Sequence, residues 1–288
     1  DITERKISEN RNKQFSEELQ SKVKQGSLQL EQTNTQLDQF THTTSHEFQE
    51  PLRKIVMFAK LLQENKNNSD PLKVKEYLNK IEIASIRMTK LMQDMLEFAG
   101  VKNHEKLFVK TDLNDIVKNI LFDFELLIAE KKAQIIINDL PEIEAVPFQM
   151  NQLFYDLIHN ALKFSKTDII PIIEISSRKL TKENVKAHLK LNQKLSYYEI
   201  LIKDNGIGFD QKYEKQIFTM FQRLNIVNRY TGTGIGLAIC KKIVQTYSGE
   251  IFAEAKENMG ATFHIILPIE QPELNHDEEN KLKKINVN

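Results

Sequence analysis

Four short segments of this 288-residue chain hold residues whose types and spacing suit chemistry on an anion. The first is a histidine beside a carboxylate, His46 and Glu47, in Ser45-His46-Glu47-Phe48-Gln49-Glu50-Pro51. Near neutral pH an imidazole keeps a lone pair free, and an adjacent carboxylate can take the other ring proton as an electrophile arrives. Alone, such a pair is more often a surface ion pair. His42 lies one helical turn earlier without such a neighbour, and His104, His159, His188, His264 and His276 form no ligand spacing.

The second segment is Asn151 to Ser165, where Asp156, Asn160 and Lys163 recur at i, i+4 and i+7 and so share one helix face. Leu153, Leu157, Ala161 and Phe164 take the adjacent face. Acid and amide oxygens suit a hard cation such as Mg²⁺, and a lysine pairs with phosphate. In the third, Asp204-Asn205-Gly206-Ile207-Gly208 follows the apolar run from Ile200. A carboxylate at a strand end can accept from the exocyclic amine of a base, and glycines let backbone approach a ligand. In the fourth, Gly232-Thr233-Gly234-Ile235-Gly236-Leu237 opens a helix and presents N–H groups where phosphate binds well. Its spacing is G-x-G-x-G without a surrounding βαβ unit, which excludes a dinucleotide fold.

These residues need elements to hold them. Apolar residues recur at helical spacing from Leu52 to Leu62 and from Val74 to Phe98, with Val74, Ile81, Met88 and Met95 in an unbroken seven-residue series. The pattern predicts two helices joined by Asn65-Lys66-Asn67-Asn68-Ser69-Asp70-Pro71, with Asp70 capping and Pro71 opening the second. Pro51 is expected to kink the first helix and loosen the site beside His46. A lone hairpin leaves apolar surface uncovered, so a homodimeric four-helix bundle is expected.

Upstream, residues 1 to 40 lack Pro and contain one glycine, Gly26. A heptad frame places Val23, Leu30, Leu37 and Thr44 on one seam position and Leu19, Gly26, Thr33 and Phe40 on the other, a weak parallel coiled coil. After Gly100, runs at Gln134 to Asn138, Ile169 to Ser176, Tyr197 to Lys203, Gly249 to Ala255 and Thr262 to Pro268 read as strands among helices, one α/β sandwich. From Glu270 the chain is charged and patternless, which reads as disordered. The expected fold class is α+β multidomain: coiled coil (1–40), helical hairpin (41–100), α/β domain (101–269) and tail (270–288).

Lys plus Arg equal Asp plus Glu at 40 each, so no whole-chain field recruits nucleic acid or an anionic membrane. The single cysteine, Cys240, excludes a disulfide framework and reads as a small core residue. No apolar run reaches the roughly 18 to 20 residues that span a bilayer. A cytoplasmic location without membrane contact is expected. The start at Asp1 rather than Met reads as a piece of a longer chain.

Taken together, the later segments resemble the GHKL ATPases, the group of histidine kinases, type II topoisomerases, mismatch-repair ATPases and a heat-shock chaperone. That likeness implies a Bergerat nucleotide fold. Their order matches the kinase branch: N box (Asn151 to Lys166), G1 box (Asp204 to Gly208), F box (Ile217 to Phe221) and G2 box (Gly232 to Ile239). The resemblance covers about residues 41 to 268. It implies that Asn160 coordinates Mg²⁺, Asp204 contacts the adenine of ATP, and Lys163 and Arg223 approach phosphates. Asp156, Phe164, Phe221, Thr233 and Leu237 would belong to the same site, and Gly206, Gly208, Gly232, Gly234 and Gly236 would shape its loops. Gln222 to Thr231 would form a lid over the nucleotide.

Phe40 to Arg53 resembles the H box of the dimerisation and phosphoacceptor domain, which implies His46 as nucleophile, Glu47 as its base and a response-regulator receiver aspartate as the next acceptor. Asp1-Ile2-Thr3-Glu4-Arg5 resembles the junction that ends PAS sensor domains, which implies an upstream sensor. Gln49-Glu50-Pro51 is similar to the H box of phytochrome-like kinases. Glu50 departs from kinases that also dephosphorylate their partner, which often carry Thr or Asn there; a carboxylate beside a phosphoaspartate adds like charge. Two alternatives share parts of the pattern: a GHKL ATPase that drives a conformational clamp, and a degenerate kinase acting as a dimeric scaffold.

Overall fold

The computed structural model describes residues 20, 23–24, 26–27, 47–63, 71–100, 108–224 and 233–271. The chain forms two compact units, Asp1–Met88 and Thr89–Asn288. Of the heptad frame, Val23 and Gly26 are described, both in helix. The other seam positions, the turn at 64–70 and the tail from 272 lie outside the described residues.

In the first unit, helix α1 (47–63) runs on through Pro51, and α2 (Pro71–Gly100), whose residues from Thr89 on belong to the second unit, opens on the proline whose missing N–H costs nothing at a first helical position. Phe58 of α1 stacks on Tyr77 of α2 with ring centroids 5.7 Å apart. The Lys80 ammonium lies 5.1 Å from the same Phe58 ring. Ala84 is buried, whereas Leu52, Val56, Met57, Leu72, Leu78, Ile83 and Ile86 stay exposed.

The second unit is built on a five-stranded sheet of order β2-β4-β5-β7-β6: β2 (Gln134–Ile137), β4 (Ile172–Lys179), β5 (Tyr197–Asp204), β6 (Glu250–Lys256) and β7 (Gly260–Pro268). Among the described strands only β2 and β4 pair in parallel. Of the helices α3 (Leu113–Asp123), α4 (Glu125–Lys131), α5 (Pro147–Lys163), α6 (Lys182–Ala187) and α7 (Gly236–Thr246), α5 packs against α3 and α7, and α5 and α7 contact the sheet. The core joins Leu153, Leu157, Ile158 and Ala161 of α5 to Ile173, Ile175, Ile200, Ile202 and Ile265 of the strands.

Two strands escape the sequence pattern, β1 (Val109–Asp112) and β3 (Glu142–Ala145), which pair antiparallel as a separate ribbon. Each has only four residues, at least half of them polar, too few for an alternation to register. Strand β4 starts three residues later than Ile169 suggests. There the Asn205 side chain accepts from the Ile172 N–H at 2.9 Å and donates to the Ile170 carbonyl at 3.0 Å, in place of ladder bonds. At the end of the domain the Ile269 N–H donates to the Ser196 carbonyl at 2.9 Å, and the start of the expected tail is held too, where the Gln271 N–H donates to the Glu144 carboxylate at 2.9 Å. Among the described residues no helix is long and apolar enough to cross a membrane.

Candidate functional site

At the start of α1 Glu47 is half-buried, while His46, the expected acceptor, lies outside the described residues. The Arg87 guanidinium of α2 donates to Glu47 Oε2 at 3.0 Å and lies 3.6 Å from Glu50 Oε2, while Lys54 holds Glu50 Oε1 at 2.7 Å. One arginine thus spans two carboxylates a turn apart, fixing the side chain that follows His46 in sequence. Nothing in the sequence flags Arg87, which lies 40 residues from Glu47.

In the second unit the N-box residues lie on α5. Pro147 occupies its first turn and Val146 precedes it without a side-chain cap. The Val146 N–H donates instead to Tyr247 Oη at 2.9 Å, and Tyr247 Oη donates to Gln149 Oε1 at 2.8 Å. This buried pair of bonds ties the start of α5 to the end of α7. The far half of α5 presents Asp156, Asn160 and Lys163 as a half-buried polar stripe beside the buried Leu153, Leu157 and Ala161.

Two parts of the site meet at that stripe. A Cβ added to Gly236 would lie 3.3 Å from Asp156 Cγ, so the first turn of α7 runs against the Asp156 carboxyl, which also accepts from Gln152 Nε2 at 2.9 Å. Burial, then the positive charge of Arg223, holds the Lys163 ammonium below the usual lysine range. Two cations near enough to be felt by each other make a seat for phosphate. Lys163 Nζ lies 4.6 Å from the centroid of the Phe164 ring, so Phe164 is a cation–π platform for that lysine.

Asp204 ends β5. Its Oδ1 accepts the N–H of Gly206 at 2.8 Å and of Ala261 at 3.3 Å. Burial raises its carboxyl above the usual range, against those two hydrogen bonds and the positive charge of Lys166. Gly208 adopts φ +59°, and a Cβ there would come within 2.1 Å of the Lys256 carbonyl; only glycine fits.

The loop between the F and G2 boxes is pinned at its base, where the Phe221 N–H donates to the Gly234 carbonyl at 2.8 Å. Phe221 itself adopts φ +59°, a strained conformation for an aromatic residue. Phe218 is a core residue, edge-on to Phe263 with centroids 6.4 Å apart. Thr233 Oγ1 donates to Asp94 Oδ2 at 2.5 Å, and Leu237 is half-buried in the first turn of α7. Gly232 and most of the expected lid, 225–232, lie outside the described residues. Cys240 is fully buried, as a small core side chain.

His159 follows the same helix beside Asn160. Burial, then the charges of Lys163 and Lys90, lowers its pKa, and its ring stacks on Tyr155 and Phe124. Among the described residues no group of three His, Cys, Asp or Glu side chains could hold a metal ion. The donors do suit a cation held largely by phosphate and water, because the half-buried Asn160 amide makes no hydrogen bond to another described residue and leaves its oxygen available.

Residues 36–103 match the family model of the His Kinase A (phospho-acceptor) domain, and residues 145–271 that of the histidine kinase-, DNA gyrase B-, and HSP90-like ATPase. The chain is similar to cyanobacterial phytochrome A of Nostoc sp., 33% identical over 83% of this chain and 29% of the relative. It is also similar to the phytochrome-like protein Cph1 of Synechocystis sp., 31% identical over 83% and 30%. The sensor protein kinase WalK of Staphylococcus aureus is 29% identical over 83% of this chain and 55% of WalK. The chain therefore spans less than a third of the phytochromes it matches. Among solved structures, the Acinetobacter baumannii histidine kinase AdeS shares the fold with a TM-score of 0.54 and 20% identity, over 78% of this chain and 98% of AdeS.

Proposed function

Because it joins a phospho-acceptor domain to a GHKL-type ATPase domain in that order, the chain belongs to the sensor histidine kinases, and from that membership we propose that it phosphorylates itself on His46 and passes the phosphoryl group to a response-regulator aspartate. The observation that carries the nucleotide half of the reading is the gathering of Asp204, of Asp156 against Gly236, and of Lys163 with Arg223 in one unit. Asp204 accepts the exocyclic amine of adenine, and Lys163, Arg223 and the first turn of α7 hold the phosphates. Mg²⁺, when bound, neutralises phosphate charge, and Asn160 is the residue that would give it an oxygen.

In the transfer, an imidazole nitrogen of His46 forms a bond to the γ-phosphorus, the bond from that phosphorus to the ADP oxygen breaks, and Glu47 takes the proton from the other ring nitrogen. Arg87 keeps the Glu47 carboxylate in place. In the second transfer the P–N bond breaks, an aspartate oxygen takes the phosphoryl group, and Glu47 returns the proton to the imidazole. With Glu50 tied to Lys54 and Arg87, this position offers no neutral side chain to orient a water, which favours a kinase without phosphatase activity. The exposed apolar side chains of α1 and α2 support homodimerisation through a four-helix bundle, and the coiled coil would carry the output of an upstream sensor. The setting is cytoplasmic, without nucleic-acid or membrane contact.

The test is incubation with γ-labelled ATP. Label retained on the protein, labile in acid and stable in alkali, is expected of a P–N bond. Release of label as inorganic phosphate alone would favour a clamp-type ATPase, and absence of both would favour a scaffold.

A further inference from the structure

Lys166 stands just past the end of α5, at the last position of the N box, where no individual role is assigned to it. Its ammonium donates to the Asn258 carbonyl in the β6–β7 turn at 2.6 Å. The Asn258 N–H donates to the Ile207 carbonyl at 2.6 Å, and the Ile207 N–H to the Phe164 carbonyl at 3.0 Å. Since Phe164 and Lys166 are two residues apart, these three bonds close a ring through the end of α5, the G1 loop and the β6–β7 turn.

The ring is packed as well as bonded. Gly260, at φ +95° in the same turn, would bring a Cβ within 2.0 Å of the Asp204 carbonyl, so turn and loop are in direct backbone contact. The β6–β7 turn is thereby a third wall of the base site, with Lys166 as its tie to α5.

The wall matters because of what it surrounds. The Gly206 and Ala261 N–H groups serve one Asp204 oxygen, and Lys166 is the charged group felt at this carboxylate among the described residues. Backbone N–H groups carry only partial charge, while an ammonium supplies a full one in a mostly dry site. Building on the kinase reading, we propose that Lys166 is a positioning residue for base recognition: held on the Asn258 carbonyl, its ammonium keeps the Asp204 carboxylate in the acceptor form that takes the amine of adenine.

The experiment measures Mg-ADP binding to the whole chain by calorimetry between pH 5 and pH 8.5, for the parent, Lys166→Gln and Lys166→Arg. Gln keeps a hydrogen-bond donor and removes the charge, whereas Arg keeps both. Affinity of the parent falls on acidification as Asp204 takes up a proton. In Lys166→Gln the fall begins at higher pH, so binding is roughly threefold to tenfold weaker near the parent's midpoint and within about twofold of it at pH 8.5. Lys166→Arg follows the parent. A Lys166→Gln profile that overlays the parent, or that is lower by one factor at every pH, overturns the assignment, the second because it marks a structural tie alone. Absence of Mg-ADP binding by the parent, or undiminished binding by Asp204→Asn, would overturn the nucleotide reading itself and is distinguishable from both.

Discussion

Replacing Asp204 by Asn should move nucleotide affinity and fold stability in opposite directions. In the parent, Oδ1 accepts the N–H groups of Gly206 and Ala261 at 2.8 and 3.3 Å. An asparagine that keeps these bonds must place its carbonyl oxygen there, so its amide NH₂ takes the position of Oδ2. The group facing the base amine turns from acceptor to donor. Losing a hydrogen bond to a charged group costs about 1.5 to 3 kcal/mol, roughly one to two decades in Kd. Stability runs the other way. Burial raises the Asp204 carboxyl in the fold, so its ionised form is penalised relative to the unfolded chain. The penalty is complete above the folded pKa and vanishes as pH falls below the unfolded value of about 3.9. Asparagine never carries the charge, so at pH 7.5 the nucleotide-free variant unfolds at a higher temperature than the parent, by a margin that shrinks on acidification. Calorimetric titration with Mg-ADP and thermal unfolding without nucleotide check both halves. A variant that binds as tightly as the parent, or that melts earlier at pH 7.5, would refute the reasoning.

Three further outcomes are expected besides that for Lys166. His46→Gln abolishes acid-labile labelling from γ-labelled ATP while Mg-ADP affinity stays within about twofold; retained labelling would move the acceptor elsewhere, His42 first. Arg87→Ala leaves nucleotide affinity unchanged but slows autophosphorylation by roughly tenfold to a thousandfold, a large share of what a positioned general base contributes; an unchanged single-turnover rate would count against the Glu47–Arg87 arrangement. Tyr247→Phe removes the hydroxyl that serves the buried Val146 N–H and Gln149 Oε1 and destabilises the second unit by about 1 to 3 kcal/mol, read as a lower denaturation midpoint; an unchanged midpoint would mean that another group takes up the Val146 N–H.

Much of the site could be read from one dimension because its residues act through local spacing. Asp156, Asn160 and Lys163 fall on one face wherever their segment is helical, and the predicted core partners Leu153, Leu157 and Ala161 are buried as that face requires. Pro71 opens α2 because proline loses nothing at a first helical position. Strand limits were less legible. Ile169 and Ile170 have the composition of a strand, yet the Asn205 side chain, 33 and 35 residues away from its partners, occupies the backbone groups that a ladder would use.

The order of the motifs and their residue types were sufficient to determine the kind of chemistry, since a base acceptor, a phosphate loop and an acceptor histidine each need particular atoms. Arg87 against Glu47, Tyr247 under the start of α5, and Lys166 tied to Asn258 were decided only by the tertiary structure. Each joins residues 40 to 101 positions apart, through a contact that no periodicity encodes. The physical reason is that a hydrogen bond or charge pair acts over a few ångströms of space, and which distant side chain arrives within that range depends on how the whole core packs.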